Sequence, residues 1–187
     1  MKAAQFTDYG GPEVILIKEV KKPAPRENQV LVEVHAAAIN PFDYKVRRGY
    51  MKDMMPLNLP LTIGGDFSGV VVGENREVFG QSYAFAGGSG AMAEYAIANL
   101  NNIADKPKSI NFIEAGSLSL VGCSAIQALE QHINLQKGQK ILIHGGAGGI
   151  GSIAIQLAKY LGAYAVTTVG SKDVDFVKSL GADEVID

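Results

Sequence analysis

The stretch KILIHGGAGGIGSIAIQLAKYLGAYAVTTVG, Lys140 to Gly170, decides how the chain is read. KILIHG, Lys140 to Gly145, is a continuous apolar run too short for a helix and closed by glycine. That is the pattern of a parallel strand buried on both faces. From Gly149 to Ala163, Ile150, Ile153, Ala154, Leu157, Ala158 and Leu161 recur at helical spacing, which predicts an amphipathic helix stopped at Gly162. YAVTTVG, Tyr164 to Gly170, reads as a second strand. Strand, glycine turn, helix and strand in this order imply parallel pairing through a right-handed crossover.

Downstream, KDVDFVKSLGA (Lys172 to Ala182) predicts a second helix with Val174, Val177 and Leu180 inward and Gly181 as its stop, and DEVID begins a third strand. Upstream, Ser109 to about Ile133 places Ile113, Leu118, Val121, Ala125, Ile126, Leu129 and Ile133 at helical spacing, which predicts two short helices. Before Pro107 the texture differs. VILIKEV (Val14 to Val20), QVLVEVHAAAI (Gln29 to Ile39), FSGVVVG (Phe67 to Gly73) and AEYAIAN (Ala93 to Asn99) are short β-type runs separated by Gly and Pro. They predict a compact antiparallel β domain, with the charged KKPAPRE between two of them as a solvated loop. The chain therefore divides near residues 108 and 109 into a β half and an α/β half.

Seventeen basic against nineteen acidic residues leave a net charge of -2, so no cationic surplus is available for a nucleic-acid backbone. The start lacks a basic-then-apolar signal, and the most apolar long stretch is broken by Glu114, serines and Gln127, so the chain is expected to be cytoplasmic with no membrane partner. A single cysteine, Cys123, excludes an internal disulfide and a cysteine-rich zinc lobe.

Between the first strand and helix, HGGAGGIG carries G-x-G-x-x-G at Gly146, Gly148 and Gly151. In this setting the motif reads as a dinucleotide loop: Gly146 for the tight turn, Gly148 for close approach of the backbone to a diphosphate, Gly151 for packing helix on strand. The anion would rest against the amides of Gly146, Ala147, Gly148, Gly149, Ile150 and Gly151, at the positive end of the helix. No acidic residue lies between Ser152 and Ser171, where an NAD site places one on the ribose hydroxyl. The strand ends instead in Ser171 and Lys172, a hydroxyl and a cation for a 2'-phosphate, which predicts NADPH; Asp173 argues in the opposite direction.

Together with NPFD (Asn40 to Asp43), GGDFSGVV (Gly64 to Val71), GAMAEY (Gly90 to Tyr95) and LGADEVID (Leu180 to Asp187), these residues resemble the medium-chain dehydrogenase/reductase superfamily, in its zinc-independent quinone oxidoreductase and enone reductase branch. The resemblance implies a mixed β and α/β fold: a GroES-like antiparallel β domain over residues 1–108, and the first half of a Rossmann doubly wound parallel sheet, binding NADP, over residues 109–187. It also implies hydride transfer from NADPH to a quinone or α,β-unsaturated carbonyl. Where zinc-dependent relatives carry a metal-binding Cys and His, this chain has Asn40 and Gly65, neither of which supplies a soft or imidazole ligand. By resemblance, Asn40 orients the nicotinamide or the substrate carbonyl, and Lys45 or Tyr50 donates to the developing oxyanion. Asp43 and Asp66 hold backbone or neighbouring side chains, and Ser124 contacts the cofactor. His35, His132 and His144 are expected to be satisfied structural side chains, with His144 near the cofactor.

Family members continue with a second βαβαβ half, and usually have a longer loop than GENREVFG after Gly73. The chain is therefore expected to be a truncated form, inactive by itself, of a protein whose intact version is a homodimer. A non-catalytic nucleotide-binding module and, more distantly, an alcohol dehydrogenase are the competing readings.

Overall fold

The computed structural model describes residues 1–187. In chain order the elements are β1 (Lys2–Phe6), β2 (Ile15–Glu19), β3 (Gln29–Ala37), α1 (Pro41–Arg47), β4 (Leu61–Thr62), β5 (Asp66–Val71), β6 (Glu77–Gln81), β7 (Tyr95–Asn99) and β8 (Ile103–Asp105). They continue with α2 (Phe112–Gly116), α3 (Ser119–Ile126), a π-helical turn Gln127–His132, β9 (Lys140–His144), α4 (Gly149–Tyr160), β10 (Tyr164–Thr168), α5 (Val174–Ser179) and β11 (Glu184–Ile186). They form two compact units, Met1–Ser119 and Leu120–Asp187. No helix is long and apolar enough to cross a membrane.

The first unit is antiparallel throughout, with a five-stranded sheet of order β7-β3-β5-β6-β8 and a three-stranded sheet of order β2-β1-β4. The four β-type runs of the sequence are β2, β3, β5 and β7. Inward residues Val32, Phe67, Val71, Val78, Ala91 and Ala98 make one core cluster, and Phe6, Val46 and Ile63 anchor a second beneath α1. Helix α1 was not anticipated in NPFDYK. Its start follows from local chemistry: Asn40 at the N-cap, Pro41 at the first helical position, and the Asp43 carboxylate accepting the Asn40 N–H at 2.7 Å. Lys45 and Arg47 in its last turn suit the negative end of the dipole.

In the second unit β9, β10 and β11 pair in parallel in the order β11-β10-β9. The expected β-α-β-α-β succession and the mixed β and α/β class are therefore present. Two expectations need correction. Strand β9 is buried on one face only, because α4 and α5 feed the same core cluster through Ala154, Ile155, Ala158 and Val177, while Leu142 on the opposite face is 50% exposed. In α4, Gly151, Ala154, Ile155 and Ala158 are buried and Ile153, Leu157 and Leu161 pack against them, so of the expected stripe only Ile150 faces outward. The residues of α4 nearest the sheet are the small ones, Gly151, Ala154 and Ala158, which let the backbones approach.

Candidate active site

The turn joining β9 to α4 begins with Gly145, which takes a left-handed conformation (φ 70°). The tight turn is thus the task of Gly145. Gly146 is small for another reason, since a Cβ there would collide with the Thr167 hydroxyl. A Cβ at Gly151 would collide with the Gly145 carbonyl, so that glycine does let the helix pack against the loop. At Gly148 a Cβ would meet only the Gly145 oxygen, at 3.2 Å. Gly148 is the N-cap of α4 and brings no side chain to its first turn. The amides of Gly149, Ile150 and Gly151 therefore open the helix with no side-chain acceptor, an arrangement suited to an anion.

Ser171 and Lys172 are exposed in a single 3₁₀ turn that follows β10. Ser124 spends its hydroxyl on the Leu120 carbonyl of its own helix at 2.7 Å. His144 is exposed, with Nδ1 3.2 Å from Thr168 Oγ1. His132 is exposed at the end of the π-helical turn, and His35 is exposed and stacks on Phe112 at 4.3 Å. The three histidines are surface side chains rather than core ones.

In the first unit, Asn40 sits buried in a polar cluster. Its Nδ2 donates to Asp66 Oδ2 at 3.0 Å, and Gln81 Nε2 donates to Asp66 Oδ1 at 3.1 Å. Asp66 is fully buried and Asp43 nearly so. Burial pushes the Asp43 carboxyl up to about 6, against the pull of the Asn40 N–H, and the Asp66 charge adds to the rise. Both acids thus fix backbone or neighbouring side chains. Tyr83 lies across Gly65, where a Cβ would fall inside the phenol ring. Its ring is held edge-on to Phe42 at 5.5 Å and stacked on Phe85 at 5.0 Å. Burial first, then the charges of Asp43 and Asp66, push the phenol's acidity well below the ordinary range, partly offset by the Asn40 amide beside it. The Asn40 amide is the polar neighbour of the buried Tyr83 hydroxyl.

Of the residues expected to work with Asn40, Lys45 is exposed and Tyr50 is 65% exposed, its hydroxyl accepting from Arg48 at 3.3 Å. The structure gathers Asp43, Asp66, Gln81 and Tyr83 around Asn40 instead. Tyr83 and Gln81 carry no motif, and their proximity to Asn40 comes from the pairing of β5 with β6. No group of three His, Cys, Asp or Glu side chains is arranged to hold a metal ion.

Residues 26–108 match the alcohol dehydrogenase GroES-like domain. Over 200 residues the chain is 34% identical to the chloroplastic quinone-oxidoreductase homolog of Spinacia oleracea, covering all of this chain and 61% of that protein. Over its whole length the chain is similar to quinone oxidoreductases. It is also 38% identical over 203 residues to the chloroplastic NADPH-dependent alkenal/one oxidoreductase of Arabidopsis thaliana, covering 52% of it. The solved quinone oxidoreductase of Coxiella burnetii superposes with a TM-score of 0.90 at 38% identity, over the whole of this chain and 62% of that one. The chain thus spans about half to three-fifths of the length of these relatives. It supplies the N-terminal part of the medium-chain dehydrogenase/reductase fold.

Proposed function

We propose that the protein is an NADPH-dependent reductase of quinones or α,β-unsaturated carbonyls that works without a metal ion. Residues 1–108 form its GroES-like catalytic portion, and residues 109–187 the first half of its NADP-binding domain. The observation that carries this reading is the strand–glycine–helix turn from Gly145 to Gly151, in a chain homologous to oxidoreductases of these substrate types. The open first-turn amides of α4 and the bare backbone at Gly148 fit a diphosphate. Ser171 and Lys172 are exposed and would hold a 2'-phosphate. When bound, NADPH supplies the hydride.

The residues of the chain orient the acceptor and stabilise charge. Asn40 is held by Asp66, which fixes which way its amide nitrogen points. Metal-free chemistry is supported by Gly65: a side chain there would displace the Tyr83 ring, so an imidazole ligand has no room at that position. Acceptors that are already electrophilic need no Lewis acid.

Mixing the intact, full-length gene product with naphthoquinone and NADPH tests the reading through loss of the reduced-nicotinamide absorbance. Oxidation that is at least about tenfold faster with NADPH than with NADH, and unchanged by a chelator, is expected. Absence of oxidation, equal use of both cofactors, or stoichiometric bound zinc would overturn it.

A further inference from the structure

We infer that the outer edge of β2 is an interaction surface for a second copy of this chain, the two β2 strands pairing antiparallel about a two-fold axis at Ile17. The inference goes beyond the reductase reading and does not rest on it. Strand β2 ends its three-stranded sheet and pairs only with β1, without a bulge. Met1 and Val20 exchange both backbone bonds, the Met1 ammonium donating to the Val20 carbonyl at 2.9 Å and the Val20 N–H to the Met1 carbonyl at 2.8 Å. Such pairs alternate along an antiparallel ladder, so Leu16 and Lys18 also bond inward to β1, while Ile15, Ile17 and Glu19 turn their backbone groups away from it. The Ile15 N–H is taken by the Pro12 carbonyl. The Ile15 carbonyl and both backbone groups of Ile17 and Glu19 are left at the edge with no partner within the chain.

Sheet edges are ordinarily shielded by a proline, a bulge or a covering segment, because an open apolar strand is a template for another. Ile15–Glu19 has no proline and no bulge, its one lysine is half-buried, and it is bare on both faces, with Leu16 49% exposed and Ile17 71%. Charge decides the register of a self-pairing. An axis at Leu16 sets Glu13 against Glu19 of the second copy, and an axis at Lys18 sets the two Lys18 side chains against each other. The axis at Ile17 brings no like charges together: Glu13 falls opposite Lys21, Leu16 lies against the Lys18 stem, Val14 against Val20, and Ile17 against its own copy. In this register the Ile17 residues exchange both backbone bonds, and each Glu19 N–H reaches the Ile15 carbonyl of the other copy, so the occupied Ile15 N–H is not needed. A seam of one strand per copy is at the small end of specific interfaces, so the dimer is reversible, with a dissociation constant on the order of 0.1 mM.

The test is sedimentation velocity on the full chain from about 10 µM to about 1 mM, which should show a monomer–dimer equilibrium. Ile17→Lys sets two ammonium groups against each other at the axis and should raise the dissociation constant at least about tenfold. Because the side chain is exposed, the melting temperature of the dilute, monomeric protein should stay that of the wild type. Oxidative cross-linking in the Cys123→Ser background reads the register. Ile17→Cys places two thiols within disulfide reach and should cross-link, whereas Leu16→Cys faces Lys18 rather than its own copy and should not. A chain that is monomeric throughout, or cross-linking of Leu16→Cys as fast as that of Ile17→Cys, would overturn the proposal. So would association that survives Ile17→Lys and is lost in Leu142→Thr with Ile186→Thr, which would assign the contact to the parallel sheet.

Discussion

At the scale of single residues, the chemistry of the first unit turns on carboxylates placed where water cannot reach them. Asp43 pays most for this: its carboxyl is pushed from its usual 3.8 to about 6, chiefly by burial. A raised pKa in the folded state means that the folded protein holds a proton that the unfolded chain releases. Stability is therefore greatest below about pH 4 on this group's account, and declines as pH rises through about 6. The shift corresponds to at most about 3 kcal/mol at neutral pH. Asp43→Asn keeps an oxygen to accept the Asn40 N–H and removes the charge that faces Asp66. Its melting temperature at pH 7 should exceed that of the wild type, and the slope of wild-type stability between pH 4 and 6 should flatten. A lower melting temperature at pH 7 would show that the charge is stabilising. The same cluster marks where sequence reasoning stops. Asn40 stands out because it lies in a motif, whereas Tyr83 stands across Gly65 only because the chain leaving β6 is tied there by the Ser82 N–H donating to the Gly65 carbonyl.

At the scale of elements, periodicity located strands and helices well wherever one residue type dominated a face. The runs that became β3, β5, β9 and β10, and the glycine stops after α4 and α5, were all legible. Helix α1 was not, because Asn-Pro reads as a turn until Asp43 is seen to return a hydrogen bond to the Asn40 N–H. The face of α4 was legible except at its start, where Ile150 is exposed and Gly151 is the buried residue because it touches the loop by being small. The glycines of the β9–α4 turn now separate by task, and the separation is testable. Gly151→Ala places a methyl against backbone of Gly145 and Gly146 that cannot move aside, and should cost about 1–3 kcal/mol in denaturant unfolding. Gly148→Ala meets a single atom at 3.2 Å, and should leave unfolding within about 0.5 kcal/mol of the wild type. It should nevertheless weaken NADPH binding, measured by nucleotide fluorescence, if the diphosphate approaches that backbone. A Gly148→Ala protein that binds as the wild type does would place the diphosphate elsewhere.

At the scale of the whole chain, the two units differ in how they bury their sheets. The antiparallel unit closes its cores from within, through Val32, Phe67 and Val78 in one cluster and Phe6 and Ile63 in another. The parallel sheet of the second unit is covered on one face by α4 and α5, and parallel sheets are ordinarily covered on both. Its other face carries Leu142 at 50% exposure and Ile186 at 45%, with Val166 between their strands. Adjacent residues on β9 therefore make opposite contributions. Ile143, 8% exposed, is part of the core, and Ile143→Ala should cost about 2–5 kcal/mol. Leu142 lies on the uncovered face and contributes mainly a surface that other molecules can adhere to. The double substitution Leu142→Thr and Ile186→Thr keeps β-compatible side chains. In the 187-residue chain it should leave unfolding free energy within about 1 kcal/mol of the wild type, while lowering light scattering and binding of a hydrophobic dye. A loss as large as that of Ile143→Ala would mean that both faces of this sheet are already buried in solution, and that the exposed face is in contact with something the isolated units do not contain.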